Sequence, residues 1–223
     1  IKELSKVITM NPNHARAFIN LAFIQLALGD FNNGWKNYDW RFKKEITKES
    51  VLPNLNIPLW DQSKKTQNIL VIAEQGVGDQ ILFYSLLNEL LDFNLSVTVM
   101  IEYKLLSLFQ RSMPKIRFIE RGIKINEVEF DAYIPMCDLG KIFRKELSDF
   151  EKVRSYYLTA DNKKIKKIKF KMSKNKVKCG ISWKSNNEKI GKGKSFKLKY
   201  LEPLLKNQNI QFINLQYGDV NQD

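Results

Sequence analysis

Apolar positions follow three different rhythms along the chain. From residue 1 to 48 they recur at helical spacing: Leu4, Val7 and Ile8, then Ala17, Phe18, Leu21, Ala22 and Leu26, then Phe31, Gly34, Tyr38 and Phe42. Asn11-Pro12-Asn13 breaks the first stretch, with Asn13 as a helix cap, and Gly29-Asp30 makes the turn between the next two helices. This region reads as wholly helical. Residues 49–66 hold Pro53 and Pro58 among mixed polar residues and read as a surface linker, with Trp60-Asp61 as an apolar anchor in it. From 67 to 150 the rhythm changes to short β-branched runs alternating with helical spacing. Strands are expected at Ile69–Ala73, Val97–Ile101, Ile116–Ile119 and Ala132–Ile134. Helices are expected from Asp79, over Glu102–Phe109 and from Cys137 to about Leu147. Such alternation predicts a parallel sheet with right-handed crossovers.

Residues 151–176 read as a basic connector, with Ile165, Ile168 and Met172 near one helix face and lysines around them. A second α/β segment begins at Val177. It offers a strand and loop over Val177–Trp183 and a strand at Ile210–Leu215, with a helix over Phe196–Leu205 that Pro203 interrupts. Two strands are too few to stand as a sheet alone. The fold expected is therefore α/β with an N-terminal helical hairpin: helices at 1–48, linker 49–66, a parallel-sheet domain at 67–150, connector 151–176, and the start of another α/β domain at 177–223.

Composition changes this picture little. Hydrophobic residues at 43% and charged residues at 27% are those of a soluble globular chain, and no apolar stretch is long enough to span a membrane. The chain opens on Ile1-Lys-Glu-Leu, without a signal-peptide pattern and without Met, so it reads as a cytoplasmic fragment. Cys137 and Cys179 lie far apart without metal-type spacing and read as reduced thiols. The single histidine, His14, reads as a surface or capping residue, which disfavours Ser/His/Asp chemistry and multi-histidine metal sites. Net charge is +13, but nine lysines with no acid stand between Lys163 and Lys178. Only seven arginines, the preferred readers of bases and phosphates, occur in the chain. The charge reads as one solvated basic helix rather than a nucleic-acid site, with anionic surfaces as its other possible partner.

The candidate chemistry lies in Ile69-Leu-Val-Ile-Ala-Glu-Gln-Gly-Val-Gly-Asp79, a strand, a glycine turn and a helix start. Gly76 and Gly78, with Glu102 further on, imitate a dinucleotide fingerprint. The third glycine is replaced by Ile81, Ala73-Glu74-Gln75 separates strand from glycine, and Asp79 puts negative charge where pyrophosphate would bind. A carboxylate at a helix start is either a plain cap or a base, and the glycines before it allow another molecule to approach closely.

Several motifs here resemble one family in order. The helical spacing of residues 1–48 is similar to tetratricopeptide repeats, helical hairpins of about 34 residues. One and a half repeats cannot bury their own faces, so either the array continues upstream or the hairpin leans on the next domain. Glu74-Gln-Gly-Val-Gly-Asp79-Gln-Ile-Leu-Phe83 resembles the motif that opens the catalytic region of bacterial tetratricopeptide-repeat proteins carrying a glycosyltransferase-like domain, relatives of heptosyltransferases and O-GlcNAc transferases. Gly34-Trp35 through Tyr38-Asp-Trp-Arg41, Pro58-Leu-Trp60-Asp61, Asp131-Ala-Tyr-Ile-Pro135, Gly180-Ile-Ser-Trp183, Lys194-Ser195 and Asn214-Leu-Gln216 resemble the family's other motifs.

The resemblance implies an inverting, metal-independent GT-B glycosyltransferase of two Rossmann-like domains. It implies no cofactor, with a nucleotide-sugar as donor substrate and a protein or glycan acceptor. Asp79 would be the catalytic base, and Glu74, Gln75, Gly76 and Gly78 the acceptor-side turn. Lys184, Lys192, Lys194 and Ser195 would meet the donor diphosphate, with Ser182 and Trp183 in the same loop. Consistently, no Asp-x-Asp pair is found for a metal–diphosphate bridge. The family's donor domain continues well past Gln216. The alternative is a non-catalytic scaffold whose hairpin and α/β domain bind a protein partner.

Overall fold

Strand β1, Asn68–Ile72, is buried from Ile69 onward and is paired along both edges. The computed structural model describes residues 1–43, 55–62, 65–151, 156–185 and 191–220. Expectations for residues 44–54 of the helical region and linker, and for 152–155, 186–190 and 221–223, lie outside the described residues.

Contact density divides the chain into two units, Ile1–Ala160 and Asp161–Asp223. The first opens with α1 (Lys2–Met10), α2 (Ala15–Ala27) and α3 (Phe31–Tyr38), followed by a 3-10 turn over Asp39–Phe42. The cap of α2 is His14 rather than Asn13: its Nδ1 accepts the Ala17 N–H at 3.1 Å. Asn13 instead donates its own N–H to the Asn11 side chain. A Cβ on Gly34 would meet the Leu26 side chain at 2.7 Å, so glycine sets how closely α2 and α3 cross.

After β1 come α4 (Val77–Phe83), a 3-10 turn, α5 (Leu87–Leu91), β2 (Ser96–Ile101), α6 (Tyr103–Ser112), β3 (Arg117–Glu120), β4 (Ala132–Pro135) and α7 (Asp138–Phe143). The four strands form a parallel sheet in the order β3-β2-β1-β4, compatible with a Rossmann-like arrangement. Burial on both faces explains why β1, β2 and β4 read as near-continuous apolar runs. Ile69, Val71, Val97, Val99 and Ile134 face the main core with the helices, where Phe109 meets the rings of Tyr84, Phe118 and Tyr157. Leu70, Ile72 and Tyr133 face a thinner cluster closed by Leu55, Ile57 and Phe130. The Tyr157 hydroxyl donates to the Ile81 carbonyl, which ties the end of this unit to α4, and burial pushes its pKa up to about 12.

The outer edge of β4 is covered by the linker. Trp60 N–H donates to the Tyr133 carbonyl at 2.8 Å, and Tyr133 N–H donates to the Pro58 carbonyl at 2.9 Å. Trp60 is therefore the anchor its place in the sequence predicts, buried edge-on against Phe93. At the start of β4, the exposed Asp131 carboxylate accepts the N–H groups of Asn68 and Gln67, in that order the causes that hold its pKa below the ordinary 3.8. A depressed carboxylate contributes stability above its unfolded-state pKa and loses it as pH falls through the folded-state value. Asp131→Asn should therefore melt below wild type at neutral pH. The gap should close as pH falls below 3.8, read by thermal melts across pH.

The hairpin leans on the sheet domain. Trp35 lays its ring on Gly140, where a Cβ would stand 2.5 Å from Trp35 Cη2. The Trp35 indole N–H donates to the Arg144 carbonyl at 2.7 Å, and Lys141 pairs with Asp39 at 2.6 Å. Helix α7 ends at Phe143 rather than near Leu147. Arg144 turns inward to grip Glu89, and Asp149 caps a separate 3-10 turn over Leu147–Phe150.

The second unit holds α8 (Asn162–Phe170), β5 (Val177–Ile181), α9 (Glu202–Leu205) and β6 (Ile210–Asn214), with β5 and β6 parallel. The expected helix over Phe196–Leu205 is shorter. Phe196 is pinned to the Trp183 carbonyl, a 3-10 turn occupies Leu198–Leu201, and Pro203 lies in the first turn of α9, where proline fits a helix. No helix among the described residues is long and apolar enough to cross a membrane.

Candidate functional site

In the order β3-β2-β1-β4 the chain runs from β1 to β2 and β3 on one side and then crosses back to place β4 on the other, so the crevice of this sheet lies above the carboxyl ends of β1 and β4. Here that crevice is filled from the hairpin. Arg41, 2% exposed, donates Nε to Glu74 Oε2 at 2.9 Å and Nη2 to Glu74 Oε1 at 3.0 Å. The same Nη2 reaches Asp138 Oδ1 at 2.6 Å, and Nη1 reaches the Tyr38 carbonyl. Glu74 Oε1 also accepts the Cys137 N–H at 2.9 Å. The rings of Phe42 and Tyr38 lie 3.9 and 4.5 Å from the guanidinium. Burial works against the charge on Arg41, but its bonds to Glu74 and the charge of Asp138 outweigh that, and its pKa is raised. Burial pushes the Cys137 thiol far up, with Glu74 adding to it. It also holds Asp138 above the ordinary carboxylate range despite Arg41. Glu74, grouped by sequence with the acceptor-side turn, points inward and holds the turn in place.

The next residues form the exposed part. Gln75 takes a left-handed conformation, φ 60°, whereas Gly76 and Gly78 do not. A bulky residue in that region is uncommon and stores strain that its surroundings must hold. Arg121 does so, donating Nη1 to the Gln75 carbonyl and to Glu102 Oε1, both at 3.1 Å. The Glu102 N–H in turn donates to Gln80 Oε1, so the ends of β1, β2 and β3 are laced together. Gln80 is fully buried, and its Nε2 has no hydrogen-bond partner among the described residues. Glu102, the residue that imitated a ribose-binding acid, is thus engaged by Arg121.

Helix α4 starts at Val77, two residues before the expected start, and Asp79 occupies its third position. Its Oδ2 accepts the Gly76 N–H at 3.1 Å. Asp79 and both glycines are exposed. A Cβ on Gly78 would meet nothing within 4 Å, and one on Gly76 only Asp79 Oδ2 at 3.5 Å. Neither φ nor internal packing requires glycine at these positions. What they provide is bare backbone beside a carboxylate.

In the second unit, taken by itself, the other sequence-selected residues gather beyond the carboxyl ends of β5 and β6. Gln216 organises them: Oε1 accepts Ser182 Oγ–H, Trp183 N–H and Lys184 N–H, and Nε2 donates to the Lys184 and Tyr217 carbonyls. Ser195 Oγ accepts the Ser185 N–H at 2.9 Å and donates to the Gly191 carbonyl at 2.6 Å. Trp183 is buried, and Lys184 Nζ donates to the Asp219 carbonyl. Lys194 is exposed, and of Lys192 only the backbone is described. Gly180 has a packing reason, since a Cβ there would stand 2.3 Å from Leu215 Cδ1. Among the described residues, no group of three or more His, Cys, Asp or Glu side chains is placed to hold a metal.

Sequence reasoning did not single out Arg41, Arg121, Asp138, Gln80 or Gln216 as site residues. Arg41 and Gln216 stand inside motifs that were legible, but their partners are distant in sequence. In a comparison with curated proteins, one alignment runs over 226 residues at 29% identity and covers 91% of this chain. The chain is similar to Protein FlbA of Caulobacter vibrioides (strain ATCC 19089 / CIP 103742 / CB 15). It spans 37% of the length of FlbA. No family model matches the sequence, and no solved structure matches it.

Proposed function

We propose that the chain is the central part of an inverting, metal-independent glycosyltransferase of the GT-B type, with a tetratricopeptide-like hairpin ahead of it and a cytoplasmic site of action. The observation that carries this reading is the exposed Asp79 carboxylate on a turn whose two glycines the chain itself does not need. That turn follows the central strand of a parallel sheet, the side on which such sheets bind ligands. Asp79 takes the proton of an acceptor hydroxyl as that oxygen attacks the anomeric carbon of the donor sugar. The new C–O bond forms on the face opposite the leaving group, and the nucleoside diphosphate departs with the electron pair. Lys184, Lys192 and Lys194 neutralise the departing charge, and Ser182, Trp183 and Ser195 shape the loop that receives the donor. The acceptor is a protein or a glycan.

Calorimetry of the complete protein with UDP-, GDP- and ADP-sugars tests this reading, and one of the panel should bind. Silence across the panel would favour the alternative, a non-catalytic scaffold for a protein partner. That alternative draws on the existing cap role of Asp79 Oδ2 and on the two-stranded sheet of the described second unit.

A further inference from the structure

A cleft of about 630 Å³ lies within the first unit, and no residue of the Glu74–Gln80 turn lines it. Its walls come from α3, from the docked segment Leu59–Gln62, and from β4 with α7. The floor is apolar: Trp60 and Ile134 are buried, Trp35 and Ile142 half-buried, and Leu59 is half exposed at the rim. The acids on the walls are already matched, Asp39 by Lys141 at 2.6 Å and Asp138 by Arg41 at 2.6 Å. Lys36 and Lys145 are exposed on the walls and have no acid partner among the described residues. The surplus charge of the cleft is therefore positive. Trp60, which lines this cleft, is itself anomalous: its indole N–H is buried without a hydrogen-bond partner among the described residues, a state native proteins rarely leave unexplained.

We propose that this cleft binds an acidic peptide segment that carries an apolar side chain. Carboxylates of the segment face Lys36 and Lys145, and an apolar side chain covers Trp35, Trp60 and Ile142. A small inorganic anion would leave the apolar floor wet, and an uncharged peptide would leave the two lysines unmatched. The cleft's volume is that of a ligand site. This inference does not depend on sugar transfer.

The test is calorimetry of the 223-residue chain with short synthetic peptides, one of glutamate and phenylalanine, one of glutamate and serine, one of lysine and phenylalanine. The first should bind at least about tenfold more tightly than the other two. Lys36→Glu/Lys145→Glu should weaken that binding at least about tenfold, with the circular dichroism unchanged because both side chains are exposed. Reversal of two lysines of α8, Lys166→Glu/Lys167→Glu, should leave it unchanged. Loss on reversing the α8 pair but not the cleft pair would overturn the proposal, because the peptide would then be a general polyanion. So would equal binding of the three peptides, or displacement of the first by inorganic phosphate.

Discussion

Arg41→Met should be among the most damaging single substitutions in the first unit, lowering its stability by about 3–5 kcal/mol. The guanidinium is 2% exposed and holds two carboxylates, Glu74 and Asp138. Methionine keeps much of the volume against Phe42 and Tyr38 but leaves both acids without their cation in a water-poor crevice. The loss is that of uncompensated burial, not of a favourable ion pair. Arg41→Met/Glu74→Gln should therefore be more stable than Arg41→Met alone, since one stranded charge is removed. Urea melts of the three proteins decide it. If Arg41→Met unfolds within 1 kcal/mol of wild type, a margin typical of exposed pairs, the pair does not hold the crevice closed.

Asp79→Asn carries the largest expected effect on activity, a loss of about 10²–10⁴-fold in sugar transfer by the complete protein, the range for a positioned acid–base group. Asparagine keeps an oxygen that can accept the Gly76 N–H, so the cap on α4 survives and the melt should stay near wild type. The substitution thus separates the two roles of the carboxylate, capping and proton transfer. Asp79→Ala should lose both activity and about 1 kcal/mol of stability. Full turnover in Asp79→Asn would remove the base assignment.

Three strands of the first sheet, β1, β2 and β4, were legible because they are buried on both faces, whereas the edge strand β3 keeps Arg117 and Glu120 exposed. Such strands read as apolar runs whatever their neighbours. Trp60 was legible as an anchor for a different reason, as the one aromatic residue in the 49–66 stretch. The turn at Gly76–Asp79 was legible because glycine and carboxylate carry their own backbone and charge signatures. The Arg41–Glu74–Asp138 pairing was not. It joins residues 33 and 97 positions apart, and no local spacing distinguishes a buried arginine from a surface one. The strained residue of the turn also escaped notice. Left-handed geometry was to be expected at glycine, yet it falls on Gln75, held there by Arg121 from the end of another strand. Helix ends failed similarly, because Arg144 and Pro203 end or begin helices through contacts and ring geometry that a periodic pattern does not encode.

The docked segment at Leu59–Trp60 has a consequence for the order in which the chain acquires structure. It closes the edge of β4, yet Leu59 and Tyr133 are about 70 residues apart in sequence, and loop closure on that scale is slow relative to local pairing. On the ribosome, Trp60 emerges long before the strand edge it covers. Its backbone pairing must wait until Tyr133 follows, although Phe93, which its ring meets, emerges earlier. Until that pairing forms, chaperones would meet the nascent chain with an open strand edge.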